Sequence, residues 1–205
     1  MCNNYALHVT AADLHDAFQD HIDHWNGFHG GVPNLAPNDD IRPTDLAPVI
    51  AAVEGGFALQ RLKWGLVAQQ PKRPPVINFR SEGRGFPNGR CLVPASSFFE
   101  FTGDRTPKTR WRFTRTDGDW FCFAGFMAGA EDDRRFTLLT TSPGPDIAPI
   151  HDRQPVVVER CAWSDWLSGG DAEPVLVSSS AGTWQVAEAP REAAKKPAAE
   201  QGSLF

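Results

Sequence analysis

The second residue of the chain is a cysteine, Cys2, which follows the starting methionine. Methionine before a small residue is normally removed, so we expect Cys2 to become the N-terminal residue. Its α-amine, with an ordinary pKa of about 8, would then lie close to a thiol with an ordinary pKa of about 8.5. Such a pair can add to one aldehyde carbon and close a thiazolidine ring, or the thiol can attack with the amine as its base. The alternative is a cysteine that stands here by chance.

A histidine precedes a β-branched run late in the chain. His151 lies in the segment PIHDRQPVVV, between two prolines and next to Asp152 and Arg153. An imidazole in such a position suits proton transfer near neutral pH. The alternative is a histidine that Asp152 fixes in a turn.

A polar cluster also follows the apolar residues of the segment VINFRSEG. Asn78 has an amide that can orient a carbonyl or a hydroxyl, and the fork of donors on Arg80 can hold a phosphate. The alternative is a capped turn with a surface ion pair.

A carboxylate stands among aromatic residues in the segment SSFFEFT. If this segment is a strand, Glu100 shares one face with Phe98, whereas Phe99 and Phe101 point to the other. Partial removal from water would raise the pKa of Glu100 and suit it to acid or base chemistry. The alternative is an exposed position at a sheet edge.

Charge is distributed unevenly along the chain, whose formal net charge is −5. Residues 61–115 carry 12 Lys and Arg against 3 Asp and Glu, and acidic segments flank them on both sides. A central basic stretch of this kind can form a local site for a polyanion such as a nucleic acid. The alternative is a solvated face that its acidic neighbours neutralise.

The elements that must position these residues are mostly short strands. The capping box from Thr10 to Asp13 and apolar residues at helical spacing predict one helix over about residues 11–25. Residues 33–48 are rich in proline and predict a loop, and strands follow from residue 49, the first two as a hairpin around Gly55-Gly56. A short helix is predicted at 161–167. Without helices between the strands, the pattern favours a single α+β domain that is mostly antiparallel.

Composition defines the rest of the organisation. A chain that is 41% hydrophobic and 11% aromatic can bury a core, and no apolar run is long enough for a membrane-spanning helix. We predict a domain over residues 1–186 and a flexible tail over 187–205, rich in Ala, Pro, Lys and Glu. No secretory signal is evident, so we expect a cytoplasmic protein without a membrane partner. We expect no metal and no cofactor, because the cysteines are widely spaced and the spacing of four histidines fits no zinc site: His15, His21, His24 and His29.

Taken in order, these segments resemble the SRAP (SOS response-associated peptidase) family. The resemblance rests on Cys2, WGLV at 64–67, INFRSEG at 77–83, RCLVPASSFFEF at 90–101 and PIHDRQP at 149–155. It covers roughly residues 1–185 and implies an SRAP-type fold. The family acts on abasic sites in single-stranded DNA, joins them covalently through the mature N-terminal cysteine, and loses its first methionine.

The resemblance also implies a role for each matching residue. Cys2 would supply amine and thiol, and Glu100 would assist Schiff-base formation as an acid or base. Asn78 would orient Cys2 and the opened sugar. His151 would transfer a proton at the sugar oxygen, during ring opening and reversal.

DNA contacts are implied at other positions. Arg80 and Arg153 would bind phosphates. Many relatives begin Cys-Gly-Arg, whereas Asn3 and Asn4 follow Cys2 here, so an arginine that would touch DNA near the nucleophile is missing. Ala68-Gln69-Gln70 replaces a segment in which relatives often carry Pro and Trp, so the prediction includes an altered affinity or junction preference.

The chain end resembles a different motif. Gln201, followed by Leu204 and Phe205, is similar to the short peptide that bacterial replication proteins insert into the sliding clamp. Two apolar side chains on a flexible tail need a pocket elsewhere. The sequence thus predicts the sliding clamp as a second partner.

Three other functions are compatible with parts of the pattern. An N-terminal-nucleophile amidohydrolase would also begin with Cys2 but would not need the HDRQP segment. A thiol protease would use Cys2 and His151 and would not need the free amine. A single-strand-binding module would form salt-sensitive complexes without any covalent step.

Overall fold

The computed structural model describes residues 2–190, which fold into two β-sheets with two short α-helices. The first sheet has the strand order β14-β9-β8-β1-β3 and is antiparallel throughout. Its strands are β1 (Tyr5–Leu7), β3 (Asn38–Ile41), β8 (Ser97–Thr102), β9 (Thr109–Arg115) and β14 (Trp184–Glu188).

The second sheet contains the other nine strands of the described residues. They are β2 (Trp25–Phe28), β4 (Leu46–Val53), β5 (Gly56–Trp64), β6 (Asn78–Arg80), β7 (Arg90–Ala95), β10 (Phe121–Ala128), β11 (Arg135–Thr141), β12 (Gln154–Pro155) and β13 (Val157–Val158). The order is β12-β11-β10-β7-β4-β5-β2, and β11 also pairs with β5, so that β5, β4, β7, β10 and β11 close into a ring. Most pairs are antiparallel, but β2–β5, β11–β5 and β11–β6 are parallel. The fold is therefore α+β and mostly antiparallel, as predicted.

The first helix, α1 (Ala11–His21), begins where the sequence predicts and ends earlier. The hydroxyl of Thr10 accepts a hydrogen bond from the backbone N–H of Asp13 at 3.1 Å, which caps the first turn. The predicted end at residue 25 is wrong, because Ile22 is already extended and Trp25 lies in β2 opposite Phe57. Trp25 has the spacing of the apolar helix residues, but it belongs to a strand.

Two other predicted boundaries are also corrected. Residues 33–48 are not all loop, since they include β3 and the start of β4. Pro48 is compatible with β4 because β7 pairs with Ile50 and Ala51, beyond the proline. The domain boundary predicted at residue 186 falls inside β14, which pairs with β9 through Glu188. Most of the predicted tail, residues 191–205, lies outside the described residues.

The core lies between the two sheets and is rich in aromatic side chains. Phe98 of β8 stacks on Phe113 of β9 at 4.7 Å and contacts Phe123 of β10 at 5.9 Å. Tyr5 of β1 meets Trp64 of β5 at 5.3 Å. All five side chains are fully buried, so these contacts fasten the first sheet onto the ring of the second.

Smaller elements complete the fold. The second helix, α2 (Trp163–Leu167), confirms the one predicted at 161–167, and two 3₁₀ turns span Glu131–Asp133 and Arg160–Ala162. Neither helix of the described region is long and apolar enough to cross a membrane.

Candidate active site

Four of the predicted site residues meet where the first sheet faces the second. They come from separate parts of the chain: the N-terminal segment, β6, β8 and the loop before β12. The side-chain amide of Asn78 donates to the backbone carbonyl of Cys2 at 2.7 Å. The His151 Nε2 lies 3.9 Å from Oε2 of Glu100. The fold therefore gathers a thiol, an amide, a carboxyl and an imidazole around the start of the chain.

The thiol of Cys2 is fully buried. Its Sγ lies 3.5 Å from the carbonyl oxygen of Asn4, a weak hydrogen bond in which the thiol is the donor. Burial, together with the nearby Glu100 carboxylate, raises the pKa of the thiol to about 12. Cys2 therefore holds its proton at neutral pH, and a neighbouring base has to take that proton when sulfur forms a new bond.

Glu100 is the group best placed to exchange protons with Cys2. Alternation along β8 turns Glu100 inward with Phe98, whereas Phe99 lies on the other face beneath Arg110. Only 2% of Glu100 is exposed, and burial raises the pKa of its carboxyl to about 7. At neutral pH the carboxyl is thus divided between its acid and base forms, which is what a proton-transfer group needs.

The orientation of His151 is fixed from its other ring nitrogen. The Nδ1 lies 3.0 Å from the backbone N–H of Arg153 and 3.0 Å from Oδ1 of Asp152. The first contact needs an unprotonated Nδ1 and the second a protonated one. Burial lowers the pKa of His151 and so favours the neutral ring. Because the backbone N–H of Arg153 can only donate, Nδ1 is then the acceptor, and the proton lies on Nε2, facing Glu100.

The side-chain oxygen of Asn78, Oδ1, is a buried hydrogen-bond acceptor. Strand β6 pairs with β11, which places Asn78 opposite Leu138 and leaves its amide nitrogen on Cys2. Its Oδ1 is buried and has no hydrogen-bond partner among residues 2–190. Because a buried orphan acceptor is costly, this oxygen is suited to accept a hydrogen bond from a ligand. Arg80, two residues along the strand, shares the face of Asn78 and is exposed.

Arg153 has partners that the sequence did not indicate. It is 8% exposed; its two terminal nitrogens bind the carboxylate of Glu82, and Nη2 also donates to the carbonyl of Thr140 at 2.7 Å. These contacts tie the His151 loop to β11 and to the segment after β6. The predicted phosphate contact of Arg153 stays a prediction, but a phosphate would have to compete with Glu82.

Three residues beside the site escaped the sequence analysis: Asn4, Asp40 and Arg110. Asn4 is fully buried, and its amide binds Asp40 Oδ1 at 2.6 Å and the guanidinium of Arg110 at 2.7 Å. The available signal was an asparagine at the start of an otherwise apolar strand segment, which is expected to need buried partners.

The fold and the four groups together define the class of protein. It is a two-sheet α+β domain whose candidate site, which includes Cys2, is built on its own N-terminal segment. The chain belongs to the SRAP family, since the model of that family, SOS response associated peptidase, matches residues 1–188.

Individual relatives support this assignment. An abasic site processing protein of Bacillus subtilis, YoaM, is 27% identical over 201 residues, which cover 87% of this chain and 84% of the relative. The Escherichia coli protein YedK, also described as abasic site processing, is 26% identical over 132 residues, or 56% of this chain and 59% of YedK.

Solved structures support the fold. A protein from Bordetella bronchiseptica has a TM-score of 0.69 at 19% identity and covers 93% of this chain and 100% of its own. One from Bacteroides thetaiotaomicron has a TM-score of 0.70 at 16% identity, with 91% of each chain covered.

Proposed function

We propose that this protein processes abasic sites in single-stranded DNA and, once Met1 is removed, joins them covalently through Cys2. The observation that carries the proposal is the convergence of Asn78, Glu100 and His151 on the segment that begins with Cys2. The description of YoaM and YedK as abasic site processing proteins supports the substrate.

The reaction has three balanced steps. As the deoxyribose ring opens to an aldehyde, the anomeric hydroxyl loses its proton and the ring oxygen gains one, and His151 transfers the proton between these two oxygens. The Cys2 amine adds to the aldehyde carbon, and the carbonyl oxygen leaves as water with one proton from the amine and one from Glu100, which leaves a protonated Schiff base and the Glu100 carboxylate. The Cys2 thiol then gives its proton to the Glu100 carboxylate as sulfur adds to the C=N carbon, which closes the neutral thiazolidine and restores the Glu100 acid.

The site geometry suits each step. A carboxyl with a pKa of about 7 can give a proton in the second step and accept one in the third. Asn78 holds the Cys2 carbonyl in place and offers its buried Oδ1 to a hydroxyl of the opened sugar. Burial of the site limits water, which would otherwise hydrolyse the Schiff base.

A denaturing gel tests the proposal. Protein whose loss of Met1 has been checked by mass is mixed with a single-stranded oligonucleotide that carries one abasic site. We expect a heat-stable shifted band with wild type, and none with an undamaged oligonucleotide, with Cys2→Ala or after acetylation of the N-terminus. No band from protein with a free Cys2 amine would overturn the proposal, and ammonia release from glutamine or cleavage of other proteins would then favour the amidohydrolase or the protease.

Removal of Met1 is the step that must come first. We propose that the site performs it, because Cys2 supplies the nitrogen of the bond to be cleaved and the Glu100 carboxylate is near enough to raise the pKa of the Cys2 thiol. Mass spectrometry of protein synthesised in a reconstituted system without aminopeptidases tests this. Wild type should lose Met1, and Glu100→Gln should retain it; retention by both would contradict self-processing.

The C-terminal residues support a separate proposal about localisation to replication forks. Gln201, Leu204 and Phe205, which lie outside the described residues, would bind the bacterial sliding clamp and raise the local concentration of the protein. A peptide of residues 195–205 should bind the clamp, and Leu204→Ala with Phe205→Ala should abolish binding. Equal binding by both peptides would contradict it.

A further inference from the structure

The start of the chain is tied to a guanidinium from a distant strand. Asn4 lies two residues after Cys2, is fully buried, and donates to Asp40 Oδ1 at 2.6 Å and to the carbonyl of Ile41 at 3.2 Å. Its Oδ1 accepts a hydrogen bond from Nη2 of Arg110 at 2.7 Å. Strand β9 therefore places an arginine directly beside the segment that carries the nucleophile.

A second contact fixes the plane of this guanidinium. The Cζ of Arg110 lies 3.4 Å from the centroid of the Phe99 ring, a close cation–π contact. A side chain held at both Asn4 and Phe99 has lost most of its rotamer freedom before any ligand arrives. Ligand binding to Arg110 would therefore cost little further ordering.

Arg110 lines a groove of about 770 Å³ beside the N-terminal segment. Asn3, the residue after Cys2, also lines it, as does Phe101, which follows Glu100 along β8 and points to the opposite face of that strand. Lys108 adds a second cation and Glu188 one carboxylate. The groove thus places two cations beside the segment that carries Cys2.

We propose that this groove holds the DNA strand next to the abasic nucleotide, with Arg110 as the contact to the adjacent phosphate. The inference rests on the proposed function, because it takes the substrate from it. A planar guanidinium matches the oxygens of a phosphodiester, and a polyanion is the ligand that the two cations of the groove favour. Arg110 of β9 would thereby supply the arginine near the nucleophile that the sequence lacks after Cys2.

Binding to an oligonucleotide with a stable tetrahydrofuran abasic analogue tests the contact without the covalent step. Arg110→Gln should reduce the slope of log affinity against log salt by about 0.7, the amount for one phosphate contact to a single strand. Arg110→Lys should restore the slope, because it keeps the charge. Arg61→Gln, an exposed arginine of β5 outside the site, is the matched control and should leave the slope unchanged.

A neutral backbone linkage separates a phosphate contact from a structural effect of Arg110. One methylphosphonate next to the analogue should weaken binding by wild type and leave Arg110→Gln unaffected. The inference is wrong if the linkage weakens both proteins equally, or if Arg110→Gln and Arg61→Gln have the same slope. Covalent adducts from the full aldehyde substrate would in that case still support the proposed function, whereas their absence from wild type would overturn the function itself.

Discussion

At the scale of single residues, the site depends on a carboxyl that the fold keeps from water. Glu100 is buried between the sheets, and its carboxyl has a pKa of about 7 where 4.5 is ordinary. Between these two values the folded chain holds a proton that the unfolded chain releases. The free energy of unfolding therefore falls as pH rises from 4.5 to about 7, because an ionised Glu100 is costly to keep in the buried site.

Replacement of Glu100 by glutamine should remove that pH dependence. We expect Glu100→Gln to gain stability relative to wild type as pH rises from about 5 to 8, by up to about 3 kcal/mol, because the glutamine has no charge to bury. Urea unfolding at a series of pH values measures the difference. Glu131→Gln, in the exposed turn after β10, serves as the control. A difference that stays constant with pH would contradict the raised pKa.

Removal of the thiol without the amine should divide the proposed reaction into its two bond-forming steps. Cys2→Ser keeps an N-terminal amine and loses the sulfur, so we expect it to stop at the Schiff base. The adduct should disappear on heating and survive after treatment with cyanoborohydride, as judged on denaturing gels. A heat-stable adduct of Cys2→Ser without reductant would mean that the thiol is not needed.

The sequence identified the residues that meet at the candidate site better than the residues that support them. Cys2, Glu100 and His151 stand out because their types are unusual in apolar segments, and the structure brings them together. The contacts of Arg153 and Arg110 could not be predicted from the sequence, because an arginine next to apolar residues is equally compatible with solvent, a phosphate or a buried partner. Only the pairing of strands distant in sequence decides among these.

At the scale of elements, Arg90 at the start of β7 joins two segments near the site. Its guanidinium is 7% exposed and donates to the carbonyls of Gly85, Phe86, Trp166 and Gly170 at 2.6–3.2 Å. It thereby connects the segment that follows β6 with the end of α2.

Substitution of Arg90 by lysine should be costly although the charge is kept. A lysine has a single donor group and cannot reach carbonyls on both segments, so at least two would lose their partner. We expect Arg90→Lys to lower the free energy of unfolding by about 3 kcal/mol, from about 1–3 kcal/mol for each buried unpaired group. Urea unfolding measures it, with Arg61→Lys as the exposed control; equal stability of the two variants would contradict the role of Arg90.

Strand positions were easier to predict than the ends of α1 and the pairing of strands. The hairpin of β4 and β5 formed around Gly55-Gly56 as predicted, because its turn and its alternation are local signals. The parallel contacts of β11 with β5 and β6 were not predicted, since they join residues far apart in the chain. The division into two sheets depends on the same distant contacts.

At the scale of the whole molecule, net charge and local charge oppose each other. The chain carries −5 overall, yet residues 61–115, which include Arg80, Lys108 and Arg110, are strongly basic. A uniform negative charge would repel DNA, and salt would then strengthen binding by screening. A local basic site would have the opposite salt dependence.

We therefore expect affinity for single-stranded DNA to fall as salt is raised. With three phosphate contacts the loss should be roughly twentyfold between about 50 and 200 mM salt. Fluorescence anisotropy with a labelled oligonucleotide measures it, and osmotically matched sucrose controls for changes in water activity. Affinity that rises with salt would mean that the average charge, rather than the basic stretch, governs binding.

The position of β1 has a mechanical consequence. This strand lies inside the first sheet, between β3 and β8, and its neighbours hold it through Asn4 and Ala6. A pull on Cys2 along the strand loads these hydrogen bonds in shear, so that they must break together rather than one after another. A DNA strand attached at Cys2 would therefore pull against a whole sheet, and a motor that moves along that strand would meet a firm anchor instead of a loose chain end.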